Sequence, residues 1–214
     1  VTLVADQIAD QASNTSAPLD EVFHFSTSTP LAIEEITVND GADQRSNIET
    51  IAVRFNQATN LQRLIDNGEI TSAVSVFGGT QIALDLGHFS YDQSSHTLTI
   101  DLTDDGRGVN RGTLLADGRY ELRLDTSMIL AETDDRNRLL DDDLADDGIH
   151  TFGFHRLMGD FDGDADVDLG DRDLFFSRLG SSGASYDFAY DLTKDGVVDK
   201  SDYYIWRTQY RKKL

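Results

Sequence analysis

The chain of 214 residues has no cysteine, only two prolines and one tryptophan, and 18 Lys and Arg against 39 Asp and Glu. Without cysteine there is no disulfide framework and no thiol chemistry, and the redox compartment stays open. A formal net charge of −21 argues against nucleic-acid backbones and anionic membranes as partners. No apolar run reaches the roughly 18 residues of a membrane-spanning helix, so no membrane insertion is expected. No signal-peptide pattern opens the chain, which starts at Val1 instead of Met and reads as a fragment. No serine stands in a Gly-x-Ser-x-Gly setting. His88 and His96 lie in loops without partners at metal spacing, and His24 and His155 sit in strand-end Phe-His patterns that read as structural. Glu34-Glu35 and the pair Asp85 and Asp101 read as outward-facing residues of alternating strands. No catalytic constellation emerges, and an enzyme is not expected within these residues.

What the chain does have is carboxylates in register. Asp160-Phe-Asp162-Gly-Asp164-Ala-Asp166-Val-Asp168-Leu-Gly-Asp171 is echoed by Asp191-Leu-Thr193-Lys-Asp195-Gly-Val197-Val-Asp199-Lys-Ser-Asp202. Each places oxygen side chains at positions 1, 3, 5, 9 and 12 of a twelve-residue loop, with Val167 and Val198 at position 8. A hard cation such as calcium takes six to eight oxygens, and in loops of this spacing position 7 lends its backbone carbonyl. Two such loops in tandem, each followed by a helix-like run, predict two bound calcium ions. Calcium and the abundance of Asp, Asn, Thr and Gly lean towards a secreted or cell-surface setting.

Three zones follow along the chain. Residues 1–30 carry two alternating segments, Val1–Val4 and Val22–Phe25, which read as the last strands of an upstream β-repeat. Residues 31–158 show short alternating runs at Ala32–Val38, Thr50–Phe55, Ala73–Phe77, Ile82–Leu84, Thr97–Leu102, Tyr120–Leu124 and Ile149–Phe154, parted by Asn-Gly, Gly-Gly and Asp-Gly turns. Such a run predicts an antiparallel sandwich, with Leu61–Ile65 as one helical turn between strands. The acidic stretch Asp134–Asp147 reads as a solvated loop in preference to a third cation site. In residues 159–214 the loops precede helices at Asp171–Leu179 and Ser201–Tyr210. Leu174, Phe175 and Leu179 align with Ile205, Trp206 and Tyr210 at an offset of 31, predicting two apolar faces that share one small core.

Each loop has a helix on its exit side only, and position 12 is Asp instead of the Glu of a full EF-hand. In this, Gly159–Leu214 resembles the dockerin module, whose usual opening matches Gly159-Asp-Phe-Asp-Gly-Asp164. The resemblance implies one ion held by Asp160, Asp162, Asp164, the Asp166 carbonyl, Asp168 and Asp171. A second would be held by Asp191, Thr193, Asp195, the Val197 carbonyl, Asp199 and Asp202. Ala165 departs from the position-6 glycine, and Thr193 from a carboxylate. The resemblance also implies a protein partner, cohesin-like or of the cell envelope. Its contact positions would be Leu169, Gly170, Phe176 and Ser177 in one half and Lys200, Ser201, Arg207 and Thr208 in the other; because these differ, interchangeable two-fold binding is not expected. Ile36–Ser46, Ile51–Phe55 and Phe154–Gly163 are similar to the bacterial Ig-like module that precedes dockerin-type ends in large secreted planctomycete proteins. The expected fold is therefore an all-β Ig-like sandwich followed by a small α-helical calcium module, acting as a non-catalytic docking region. A purely structural calcium staple, or an appendage of an upstream polysaccharide-degrading enzyme, is the alternative.

Overall fold

Alternation of buried and exposed side chains marks most of the strands of the two larger sheets. In the computed structural model, which describes residues 29–103, 112–141 and 147–214, the first sheet has the order β1-β2-β5-β4. Its strands are β1 (Ile33–Val38), β2 (Thr50–Phe55), β4 (Phe89–Asp92) and β5 (Thr97–Asp101), all antiparallel. Along β2, Ile51, Val53 and Phe55 are buried while Arg54 faces out and pairs with Glu34 and Glu35 of β1. The second sheet, β3-β6-β9, joins β3 (Val74–Phe77), β6 (Gly118–Asp125) and β9 (Ile149–Arg156). Tyr120, Leu122 and Leu124 of β6 turn inward, and Arg119 and Glu121 turn out. The inward rows of the two sheets share one core running from Leu31 to Phe154. Helices α1 (Leu61–Asp66) and α2 (Ile70–Ala73) bridge the sheets and close the core with Leu61, Leu64 and Ile70.

Several expectations meet corrections here. Ile82–Leu84 alternates but forms no strand: Ile82 N–H donates to the Val76 carbonyl, and both apolar side chains pack on the core from an irregular segment. The strand lies instead at β4, where the Asp92 carboxylate accepts from Ser94 and Ser95 and turns the chain into β5. Of the acidic stretch, Asp134–Arg138 is strand β8, paired with β7 (Leu130–Ala131), so its first five residues are strand where a loop was expected. Its support is side-chain pairing: Asn137 accepts from Leu31 N–H and donates to the Thr29 carbonyl. The reading of residues 1–30 falls almost wholly outside the described residues.

A second, separate core gathers Leu157, Phe161, Val167, Phe175, Ala189, Tyr190, Val198 and Trp206. It sits under α3 (Leu169–Arg178) and α4 (Lys200–Gln209). Both helices start on a reciprocal capping box, Asp168 with Asp171 and Asp199 with Asp202. The inward faces differ from the expected set. Leu179 is exposed beyond the end of α3, and Tyr203 takes the place of Ile205, because Tyr203, Trp206 and Tyr210 follow the i, i+3, i+7 rhythm.

The two cores are stitched together at the start of the first acidic loop. Arg45 N–H donates to the Asp160 carbonyl (2.9 Å), Leu157 N–H to the Arg45 carbonyl (3.0 Å) and Gly159 N–H to Ser46 Oγ (3.0 Å). From the other side, Arg119 reaches the Leu214 carbonyl (3.1 Å), and Lys212 lies 3.4 Å from Asp117.

Candidate metal centre

Both twelve-residue loops fold around the carboxylates at positions 1 and 12, which come from the loop start and the first turn of the exiting helix. Asp160, Asp171 and Asp202 are fully buried, and Asp191 is 4% exposed. In the first loop Asp160 accepts from Gly163 N–H (2.6 Å) and Ala165 N–H (3.1 Å), while Asp171 accepts from Phe161 N–H (2.6 Å) and Asp168 N–H (2.8 Å). In the second, Asp191 accepts from Gly196 N–H (2.8 Å) and Asp202 from Thr193 N–H (2.8 Å) and Asp199 N–H (2.7 Å). At the offset of 31 the bonds from Ala165 and Gly196, from Asp162 and Thr193, and from Asp168 and Asp199 correspond, whereas the amide that Gly163 supplies to Asp160 is supplied to Asp191 by Asp195, one position further on.

Backbone conformation obeys the same repeat. Gly163 and Lys194 at position 4, and Ala165 and Gly196 at position 6, all have positive φ (80°, 61°, 71° and 91°). Ala165 thus occupies a left-handed conformation that glycine would take without steric conflict.

The loops differ in how their oxygens gather. Asp160, Asp162 and Asp164 bring carboxylate oxygens within 4.8 Å of one another, and so do Asp166, Asp168 and Asp171. Both trios lie in the first loop; among the described residues the second gathers no such trio, since Thr193 stands where a carboxylate would. The side chain of Asp166, expected to offer only its carbonyl, belongs to the second trio, and its Oδ1 is buried without a hydrogen-bond partner.

Crowding of like charges away from water raises carboxylate pKa values. Burial pushes Asp171 up to about 6, and burial together with the neighbouring charge of Asp164 raises Asp162. Lys213, 3.4 Å from Asp166, and His155 on Asp160 are the basic partners; Asp171, Asp191 and Asp202 have no salt bridge among the described residues. Buried, hard, anionic oxygens that lack cationic side chains are a donor set suited to a divalent cation. The residues present fit calcium.

The eight expected contact positions, Leu169, Gly170, Phe176, Ser177, Lys200, Ser201, Arg207 and Thr208, are all exposed. Phe176 stands out as an exposed aromatic whose ring lies 5.2 Å from that of Tyr203, joining α3 to α4. Reading the residues in sequence missed two groups at the loops: His155, assigned a structural part only, and Tyr186. His155 Nε2 lies 2.8 Å from Asp160 Oδ2, and Tyr186 Oη lies 2.6 Å from Asp191 Oδ2. Their shared spacing, five residues before position 1, was the available signal.

No family model matches the chain. A stretch of 46 residues, 22% of the chain, is 54% identical to a protein named ulvan lyase, long isoform, of Glaciecola sp. (strain KUL10) and spans 4% of that relative's length. Among solved structures the chain is similar to the S-layer protein rSbsC(31-844), with 14% identity, a TM-score of 0.33, and coverage of 52% of this chain and 12% of that one. It is also similar to domains 1–6 of surface layer protein SbsC, at 13% identity and a TM-score of 0.35, covering 60% of this chain and 14% of the other. A type II cohesin–X–dockerin complex from Acetivibrio cellulolyticus shows 17% identity and a TM-score of 0.26 over 66% of this chain and 82% of that one. These structural likenesses are too distant to assign a function.

Proposed function

We propose that residues 159–214 form a dockerin-like module that holds two calcium ions and, so ordered, docks a protein partner of the cohesin or cell-envelope kind. The sandwich serves as its spacer, and the whole is a non-catalytic part of a secreted or surface protein. The observation that carries this reading is the repeated burial of the position-1 and position-12 carboxylates in two loops whose backbones repeat at an offset of 31. The first ion would be held by Asp160, Asp162, Asp164, the Asp166 carbonyl, Asp168 and Asp171. The second would be held by Asp191, Thr193, Asp195, the Val197 carbonyl, Asp199 and Asp202. Bound calcium supplies the positive charge that lets these carboxylates stay ionised and close together. Asp171 and Asp202 tie loop closure to the helix start, because each also caps its helix. The exposed face carrying Leu169 and Phe176 then becomes fixed, and it differs chemically from the Lys200 and Arg207 face of the other half.

A second reading has its own support. The short match to an ulvan lyase favours an appendage of a polysaccharide-degrading enzyme. In that case docking would attach the catalytic part to a scaffold or surface.

Calcium titration calorimetry with circular dichroism before and after chelator tests the first part. Two binding events with a gain of helix support it, and a flat titration with unchanged spectra overturns it. Pull-down of envelope proteins from the source organism with and without chelator tests docking: no capture argues for a purely structural staple, and capture that survives chelation overturns calcium-dependent docking.

A further inference from the structure

Two residues outside the loops repeat the same contact with the same oxygen. His155, at the end of β9, places Nε2 2.8 Å from Asp160 Oδ2, and Tyr186, in the segment between the helices, places its hydroxyl 2.6 Å from Asp191 Oδ2. Each stands five residues before position 1 of its loop, so they are related by the offset of 31 that relates the loops. Their local settings have nothing else in common. One is in a strand of the sandwich; the other follows a short 3-10 turn, Gly183–Ser185. Since neither backbone context nor side-chain type is shared, the recurrence lies in the carboxylate being served.

From this we infer that His155 and Tyr186 are positioning residues for the two cation loops, each fixing the position-1 carboxylate through its Oδ2. The inference rests on the calcium reading above. In both loops Oδ2 accepts two donors: the position-6 amide, from Ala165 at 3.1 Å or Gly196 at 2.8 Å, and the imidazole or phenol. In the first loop Oδ1 accepts, among the described residues, Gly163 N–H alone (2.6 Å); in the second it accepts from Thr193 Oγ1 and Asp195 N–H at 3.1 and 3.2 Å. In the first loop Oδ1 therefore keeps lone-pair capacity for a cation while Oδ2 is filled; in the second both oxygens accept two donors, the longer pair falling on Oδ1. Outer groups that orient a ligand in this way are worth roughly 10–100-fold in metal affinity. His155 also binds the first loop to the sandwich, whereas Tyr186 acts within the module alone.

The test is calcium titration calorimetry on the full 214-residue chain with Tyr186→Phe, His155→Phe and the rescue variant His155→Gln, each also melted in chelator. Tyr186→Phe removes one hydroxyl and leaves the ring. The expected result is that the Tyr and His variants each weaken a different one of the two binding events about ten-fold or more. His155→Gln, which restores an N–H donor, should recover part of the loss. Parental affinity at both events in Tyr186→Phe and His155→Phe overturns the inference while the calcium reading stands, whatever the melts in chelator show. A parental chain that takes up no calcium overturns both.

Discussion

Gly163 lies against Asp43 so closely that a Cβ at position 163 would sit 2.3 Å from the Asp43 carbonyl oxygen. The first acidic loop is thereby pressed onto the sandwich segment that also supplies Arg45 and Ser46. Gly163→Ala must move one backbone against the other in addition to bearing a left-handed φ. Gly180→Ala, also at positive φ but with open space around it, bears the conformational cost alone, about 1–2 kcal/mol. Thermal or urea unfolding should show Gly163→Ala to be the more damaging by about 1–3 kcal/mol. Equal losses would mean that the loop does not pack on Asp43.

Ala165 holds φ of 71° where its counterpart Gly196 sits at 91°. Ala165→Gly relieves the left-handed strain, less the backbone entropy that glycine loses on folding, for a net gain of about 0.5–1 kcal/mol. A melting temperature raised by a few degrees would confirm it, and a lowered one would refute it.

Asp171 titrates near 6 because burial disfavours its charge, against an ordinary value of 3.8. A carboxyl raised on folding contributes stability that is complete below the unfolded value and lost as pH rises through the folded one. In chelator, then, the chain should lose on the order of 2–3 kcal/mol from this group between about pH 4 and pH 7. Asp191 acts oppositely: although burial pushes its carboxyl up, hydrogen bonds led by Tyr186 carry it below its ordinary value. Melts of Asp171→Asn beside the parent isolate the Asp171 contribution. The variant should show a smaller fall with pH, and saturating calcium should remove the difference in the parent.

Arg156, almost fully buried at the end of β9, donates to the Ser46 carbonyl and to Asp117. Asp117 also accepts from Met158 N–H and lies near Lys212, so one carboxylate ties β9 to both ends of the helical region. Asp117→Ala leaves a buried guanidinium with only part of its partners, a change expected to cost about 2–4 kcal/mol. Asp117→Asn, which keeps an acceptor, should cost less. Unfolding followed by far-ultraviolet dichroism would reveal no such order if the contact is idle.

Much of the molecule was legible because it is written locally. The strand at Tyr120–Leu124 announces itself by alternation, and α3 and α4 begin within two residues of where the spacing puts them. Segments without a local apolar signal were not legible. β8 is five polar residues, Asp-Asp-Arg-Asn-Arg, and exists through its pairing with β7. Ile82–Leu84 has the alternation of a strand but no ladder in the fold.

At the candidate metal centre the division is the same. Oxygen register, the aliphatic position 8 and the turn positions repeat within twelve residues, and the chain encodes them by itself because loop geometry depends on neighbours along the backbone. Which carboxylates are withdrawn from water, which oxygens form trios, and that Arg45 and Ser46 hold the start of the first loop against the sandwich were decided by tertiary structure alone. Those outcomes depend on surfaces far apart in sequence meeting at van der Waals and hydrogen-bond distance, which no periodicity along the chain encodes.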